Sequence, residues 1–117
     1  MIAVIFEVEP AKGQRDSYFD LATKLKNDLT KMDGFISIER FQSLTNENKV
    51  LSLSFWRDEE AVKGWRNHSL HRQTQGLGRE GVFSNYRLRV AVVERDYGLN
   101  RRDDAPLDSR SYFPDDA

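Results

Sequence analysis

Apolar and polar residues alternate at the start of the chain, and a period of two is typical of a β-strand. The apolar positions of this strand, residues 2–9, are Ile2, Val4, Phe6 and Val8. From residue 14 to 32 apolar residues recur every three or four positions, which predicts a helix with one apolar stripe. The stripe consists of Tyr18, Leu21, Ala22, Leu25, Leu29 and Met32.

The rest of the pattern predicts two paired strands, a helical stretch and a last strand. The paired strands, 35–44 and 49–57, flank a short polar turn, which indicates a hairpin. Asp58 is a candidate N-cap for the helical stretch, which runs with one interruption to about Gly78. The last strand lies within 83–97. This order predicts an α+β domain of the βαββαβ kind with a four-stranded antiparallel sheet.

Two helical segments can cover only one face of such a sheet. We expect the covered face to hold Ile2, Val4, Phe6, Val8, Leu51, Leu53, Phe55, Leu88, Val90 and Val92. The other face also carries apolar residues, namely Ala3, Ile5, Val50, Trp56, Ala91 and Val93, among Ser52, Ser54, Arg87 and Arg89. An exposed apolar patch of this kind marks an interface, and a homodimer is the commonest assembly. The alternative is a monomer with a half-solvated sheet.

Composition narrows the class of protein. A length of 117 residues fits one domain, and 32% charged with 38% hydrophobic residues is ordinary for a soluble globular protein. The net charge of −1 does not favour nucleic acid, and the absence of cysteine excludes disulfides and thiolate metal sites. The sequence shows neither a signal peptide nor an apolar run of membrane-spanning length, so we expect a cytoplasmic protein with no membrane partner.

The end of the chain differs from the rest. Residues 99–117 are rich in Asp and contain two of the three prolines, whereas residues 1–98 form the predicted domain. Such composition is typical of a disordered or loosely docked tail. Tyr112, Phe113 and Pro114 leave open a second interpretation, in which the tail is an arm anchored on the partner subunit.

The candidate chemistry is concentrated in residues 56–75, which contain both histidines. On a helix, His68, His71, Arg72 and Gln75 would share one face. The two histidines could share a metal ion, but no clear third ligand is nearby. Alternatively, a histidine or Arg72 could bind or polarise an oxygenated substrate, with Trp65 as a wall. Spacing alone favours a third interpretation, in which Trp65 is plain core and the histidines are surface or hydrogen-bonding residues.

A family resemblance sharpens these alternatives. The strand Val50–Trp56, the acidic helix that ends in Trp65, and the run Arg66-Asn67-His68-Ser69-Leu70-His71-Arg72 resemble the antibiotic biosynthesis monooxygenase (ABM) family. The ending from Phe83 through Tyr86 to Gly98 is similar to a bacterial subgroup of the same family. The resemblance covers residues 1–98. It implies ferredoxin-like subunits that pack sheet to sheet as a dimeric α/β barrel, each with a cavity between sheet and helices.

The resemblance also implies a function. The family includes cofactor-independent oxygenases of aromatic polyketides, so we expect a monooxygenase that combines a small aromatic or quinone-like compound with O2 and needs no cofactor or metal. The candidate catalytic residues are His68, His71 and Arg72. The candidate substrate-binding residues are Trp65, Asn67, Gln75, Phe83, Tyr86 and Arg87.

Two further functions stay open on the same fold. One is a non-catalytic small-molecule-binding or stress-response module. The other is haem degradation, for which Trp65 matches the family pattern but two positions do not. Phe6 or Glu7 stands where that branch has an asparagine, and Gln75 stands at the position of its axial histidine. His71, one helical turn earlier, would have to serve as the haem ligand instead.

Overall fold

The computed structural model describes residues 1–114, apart from the side chains at positions 69, 70, 74 and 77. The elements are β1 (Ile2–Pro10), α1 (Arg15–Leu29), β2 (Phe35–Gln42), β3 (Val50–Trp56), α2 (Glu59–Arg66), α3 (Ser69–Leu77) followed by a π-helical turn (Gly78–Val82), β4 (Phe83–Val92) and α4 (Leu107–Tyr112). This order confirms the α+β βαββαβ fold that the hydrophobic pattern predicts. Within residues 1–114, the short helix α4 and the π-helical turn are additional.

The four strands form one antiparallel sheet in the order β2-β3-β1-β4. β1 therefore lies in the centre and pairs with β3 on one side and β4 on the other. Val4 faces Ser54 on β3 and Val90 on β4. Because directly opposite residues of an antiparallel pair lie on the same face, this register fixes which side chains share a surface.

The register corrects the predicted faces of β3. Trp56, Ser54, Ser52 and Val50 pair with Ile2, Val4, Phe6 and Val8, so they lie on the helix side of the sheet. The opposite face, here called the open face, holds Ala3, Ile5, Leu51, Leu53, Phe55, Phe41 and Ala91, together with Glu7, Arg87 and Arg89. The prediction that Leu51, Leu53 and Phe55 face the helices was wrong, because a shift of one residue in phase moves every side chain to the other face.

Trp56 accounts for the observed phase. Its side chain is 1% exposed and packs with Ile2, Leu29 and Val62 between sheet and helices. Its indole Nε1 donates a hydrogen bond of 3.0 Å to Ser54 Oγ on the same face. The serine thereby satisfies a buried donor, so a strand face that looks polar in the sequence is the buried one.

The helices α1, α2 and α3 all pack on the helix side. Leu29 of α1 and Val62 of α2 join one core cluster, and Tyr18 of α1 joins a second with Val8 and Val50. On the open face, Leu51, Leu53, Phe55 and Ile5 remain partly exposed.

Two local devices set the position of α2. Asp58 caps it as predicted, because its Oδ1 accepts a hydrogen bond of 2.9 Å from the Ala61 amide. Gly34 adopts φ +82°, and its carbonyl accepts a 2.8 Å hydrogen bond from the Arg57 amide. The start of α2 is thus tied to the turn that precedes β2.

The tail after β4 folds on itself. The Arg102 guanidinium donates to the Ser109 carbonyl at 3.0 Å and to the Phe113 carbonyl, which satisfies acceptors at the end of α4. The polar composition of the tail did not predict this helix. The radius of gyration is 17.2 Å and the longest dimension 54 Å. A compact domain of this length has a radius of gyration of about 13 Å, so the molecule is elongated.

Within the described residues no helix is both long and apolar enough to cross a bilayer.

Candidate functional site

A cavity of about 450 Å³ lies between the helix side of the sheet and helices α1–α3. This volume falls in the range that small-molecule sites usually have. Its apolar lining comes from Val4, Phe6, Ile38, Leu88 and Val90 of the sheet and from Leu21, Leu25 and Leu29 of α1, with Val62 of α2. The alternation of each strand and the apolar stripe of α1 direct these side chains into one space.

Aromatic rings form the walls of the cavity. Trp65 of α2 lines it and stacks on the buried Trp56, with ring centroids 6.4 Å apart and an interplanar angle of 24°. At the other wall Phe83 packs edge to face against Tyr18 at 5.8 Å and against Phe6 at 5.9 Å. These contacts fix both walls against the core.

The two histidines pack on the same indole but differ in position. His71 lines the cavity, and its ring centroid lies 4.8 Å from that of Trp65. His68 stacks on Trp65 at 5.5 Å with an angle of 29° and is not among the residues that line the cavity. The Nδ1 atoms of both rings are buried and have no hydrogen-bond partner among the described residues.

The environment of His71 keeps its imidazole neutral. Burial, the positive charge of Arg72 and the neighbouring His68 lower the pKa of His71 to about 4. At neutral pH the ring is therefore uncharged and can accept a proton or a hydrogen bond.

Arg72 is oriented by neutral partners. Its Nη2 donates to Asn67 Oδ1 at 2.9 Å, and its Nη1 donates to Gln75 Oε1 at 3.2 Å. Amide oxygens hold the guanidinium in place without cancelling its charge. The side chain is thus available to stabilise a negative charge inside the cavity.

The cavity brings together most of the predicted site residues. Those that line it are Trp65, His71, Arg72, Gln75, Phe83 and Tyr86. Asn67 accepts a hydrogen bond from the cavity residue Arg72, and His68 stacks on the cavity residue Trp65. Arg87 lies elsewhere, because the alternation of β4 places it on the open face opposite Glu7.

Comparison with known proteins agrees with this geometry. The family model for antibiotic biosynthesis monooxygenase (ABM) matches residues 1–77, about two thirds of the chain. The chain belongs to the ABM family.

The chain is also similar to individual relatives and to a solved structure. The chain is 45% identical over 93 residues to a jasmonate monooxygenase ABM of Pyricularia oryzae, a match that covers 80% of this chain and 43% of that protein. It is 28% identical over 94 residues to YqjZ of Bacillus subtilis, covering 80% and 79%. A candidate ABM monooxygenase structure from Deinococcus radiodurans superposes with a TM-score of 0.76 at 9% identity, over 84% and 97%. The last likeness concerns the fold alone.

The sequence pattern does not predict three arginines that line the cavity. Arg40, Arg66 and Arg79 line it together with Arg72. For Arg40 a signal exists in the sequence: it continues the phase of Ile38 along β2, so a charged residue stands on the core-facing side of a strand. Ser52 and Ser54 also line the cavity, whereas the sequence pattern predicts that their face of β3 is the outer one.

Among the described residues no group of three or more His, Asp or Glu side chains could share a metal ion.

Proposed function

We propose that the protein is a cofactor-independent monooxygenase that oxidises a small aromatic or quinone-like compound with O2. The observation that carries the proposal is the neutral His71 imidazole, which lies beside Arg72 in an apolar cavity with aromatic walls. A proton acceptor and a fixed positive charge in such surroundings suit the formation of a substrate anion.

The chemistry begins with deprotonation of the substrate at a carbon or oxygen conjugated to its ring. His71 accepts the proton, and Arg72 with Tyr86 stabilises the negative charge that spreads over the ring. The electron-rich anion then reacts with O2. When a CH2 group becomes a carbonyl, the substrate supplies the four electrons that reduce O2, so that one oxygen atom enters the product and the other leaves as water.

The relatives support an oxygenase. The chain belongs to a family that is described as monooxygenases. A relative that is identical to it at 45% of the aligned residues is named a jasmonate monooxygenase. This chain spans less than half of that relative, so jasmonate enters here only as one member of a substrate panel.

Oxygen uptake tests the proposal directly. Purified protein in metal-stripped buffer is mixed with anthrone, a substituted hydroquinone or jasmonate, and O2 consumption is compared with a protein-free blank. We expect uptake above the blank with at least one of these compounds, and uptake that is insensitive to added chelator. No uptake across the panel would contradict the oxygenase proposal.

One observation favours a second candidate, a non-catalytic small-molecule-binding module. A pKa of about 4 makes the His71 ring a weak base while the cavity is empty. A protein that only binds would show saturable binding of aromatic compounds and no O2 consumption. Binding without uptake would therefore select this candidate.

Haem degradation fits the cavity poorly. Phe6 or Glu7 stands where the haem-degrading branch has an asparagine, and Gln75 stands at the position of its axial histidine. Of these residues, Phe6 and Gln75 line the cavity. A phenyl ring does not reproduce the amide of that asparagine, and at position 75 an amide replaces the imidazole ligand, so His71 would have to hold the iron instead. Titration of haem into the protein should leave the Soret band unshifted.

We further propose that the protein works as a homodimer that packs through the open face of the sheet. The corrected register supports this proposal, because Leu51, Leu53 and Phe55 join Ala3 and Ile5 on one partly exposed surface. In this assembly the segment 99–117 is an arm across the partner. Its described part exposes Leu99, Leu107, Tyr112 and Phe113, the apolar side chains that such a contact requires.

A further inference from the structure

The cavity carries a positive charge that no carboxylate among its described lining residues compensates. Four arginines line it, namely Arg40, Arg66, Arg72 and Arg79, and none of the described residues of the lining is Asp or Glu. The ion pairs found in the described part of the chain involve Arg57 and Arg89 instead. In a chain with a net charge of −1, positive charge is thus concentrated at one concave site.

Arg40 is the most enclosed of these side chains. It is half-buried on β2, opposite Ser52, whereas Arg66, Arg72 and Arg79 are exposed and lie where the cavity meets solvent. The Nε atom of Arg40 is buried and has no hydrogen-bond partner among the described residues. Because protein atoms enclose Nε, an acceptor inside the cavity meets the Arg40 guanidinium through its terminal nitrogens. A charged group that lines an apolar cavity favours an anionic acceptor there.

We propose that the cavity binds an organic anion, a carboxylate attached to an apolar ring system, with the carboxylate on Arg40. The guanidinium offers parallel N–H donors whose geometry matches a carboxylate. Arg66, Arg72 and Arg79 create the field that draws the anion into the opening. The ring system occupies the apolar space between Trp65, Phe83 and Leu88.

This inference adds a substrate class to the proposed function. It rests on that function in one respect, namely that the cavity is the ligand site. A bound anion would also assist the chemistry. Arg72 and burial disfavour a proton on His71, and a carboxylate in the same cavity offsets the positive charges around the ring. The ligand would then help His71 to accept the proton.

A matched pair of probes isolates the charge of the ligand. 2-Naphthoate and methyl 2-naphthoate share the same rings and differ in whether the carboxyl group is ionised. Isothermal titration calorimetry of each compound into the full-length protein should show the acid binding at least about tenfold more tightly. The affinity of the protein for the acid should fall as the NaCl concentration is raised, whereas its affinity for the ester should not.

Variants test whether Arg40 causes the preference for the acid over the ester. Arg40→Gln should abolish the preference for the acid, Arg40→Lys should keep part of it, and Lys24→Gln, which removes one positive charge from the exposed side of α1, should leave it unchanged. Should Arg40→Gln fail to fold, Arg79→Gln at the exposed opening provides the test, with a several-fold loss of naphthoate affinity.

Three results would overturn the proposal. The first is equal or tighter binding of the ester, the second is an unaltered preference in folded Arg40→Gln, and the third is the absence of binding by either probe. None of these measurements depends on turnover. A preference for the acid without O2 uptake contradicts the oxygenase alone, and uptake with no preference for the acid contradicts this inference alone.

Discussion

The imidazole of His71 packs against the indole of Trp65 with ring centroids 4.8 Å apart and an interplanar angle of 59°. The indole itself stacks on Trp56, which is anchored to Ser54 in the core. A chain of aromatic contacts therefore fixes the position of the imidazole from the sheet outward. This arrangement places a neutral imidazole on a rigid wall of the cavity, which is the position that the proposed general base needs.

Replacement of His71 by Asn should lower the turnover number by about 10²- to 10⁴-fold, because a general base contributes an effect of that size. The measurement is initial O2 uptake at saturating substrate, with circular dichroism as the check on folding. His68→Asn is the matched comparison, since His68 touches Trp65 without lining the cavity. We expect His68→Asn to lower the turnover number much less. Equal turnover of wild type and His71→Asn would remove the base assignment.

His71 should also make the fold sensitive to acid. Its pKa is about 4 in the folded protein, against 6.5 for the unperturbed side chain. Between these two values the unfolded chain binds a proton that the folded chain does not, so the free energy of unfolding falls as pH decreases from about 6.5 towards 4. The ring is partly exposed, and solvent screening reduces the effect to about 1 kcal/mol at pH 5.

Urea unfolding at pH 7.5 and at pH 5 measures this contribution. Other groups titrate over the same range, so the informative quantity is the difference between wild type and His71→Asn. The wild type should lose more stability on acidification. An equal loss in both proteins would show that the folded-state pKa of His71 is not depressed.

Gly34→Ala should destabilise the fold by about 2–4 kcal/mol, the sum of left-handed backbone strain and overpacking. A Cβ atom at Gly34, where φ is +82°, would lie 2.4 Å from the Cβ of the buried Ala61. Gly13→Ala is the control, because Gly13 has a similar φ of +78° and no atom within 4 Å of the added carbon. It should cost only about 1 kcal/mol. Similar midpoints of thermal unfolding for the two variants would contradict the close approach at Gly34.

Leu53→Asp should convert the proposed homodimer into a monomer. Leu53 pairs with Ile5 in the middle of the open face, where a carboxylate would be buried against the partner sheet. The control is Leu44→Asp, since Leu44 is 99% exposed. Light scattering at micromolar concentration should give twice the mass of one chain for wild type and Leu44→Asp. For Leu53→Asp it should give the mass of one chain. A monomeric wild type would refute the dimer.

The fold could be predicted because the period of the apolar positions changes clearly along the chain. Val4 and Phe6 mark a strand by alternation, and the stripe that contains Leu21 and Leu25 marks a helix. The phase of β3 could not be read in the same way, since both of its faces carry large apolar residues. The phase depends on pairing with β1 and on the contact of Trp56 with Ser54, which are properties of tertiary structure.

The site could be predicted in part for a similar reason. His71, Arg72 and Gln75 lie close together in sequence on one helix, so helical spacing brings them to one face. Arg40 lies on β2, an edge strand of the sheet, far in sequence from His71. Its place at the cavity depends on the pairing register that sets it opposite Ser52. Arg87 lies on the open face opposite Glu7, where the alternation of β4 places it, so it is not part of the lining of this cavity.

The fate of oxygen atoms from ¹⁸O2 tests the central claim most directly. Chelator-treated protein is incubated with ¹⁸O2 and the substrate that shows uptake, and the product is analysed by mass spectrometry beside a His71→Asn reaction. A cofactor-independent monooxygenase should place one ¹⁸O atom in each product molecule, at a rate that collapses in the variant. Product that carries no ¹⁸O, or that forms only after a flavin, haem or metal is added, would contradict the account.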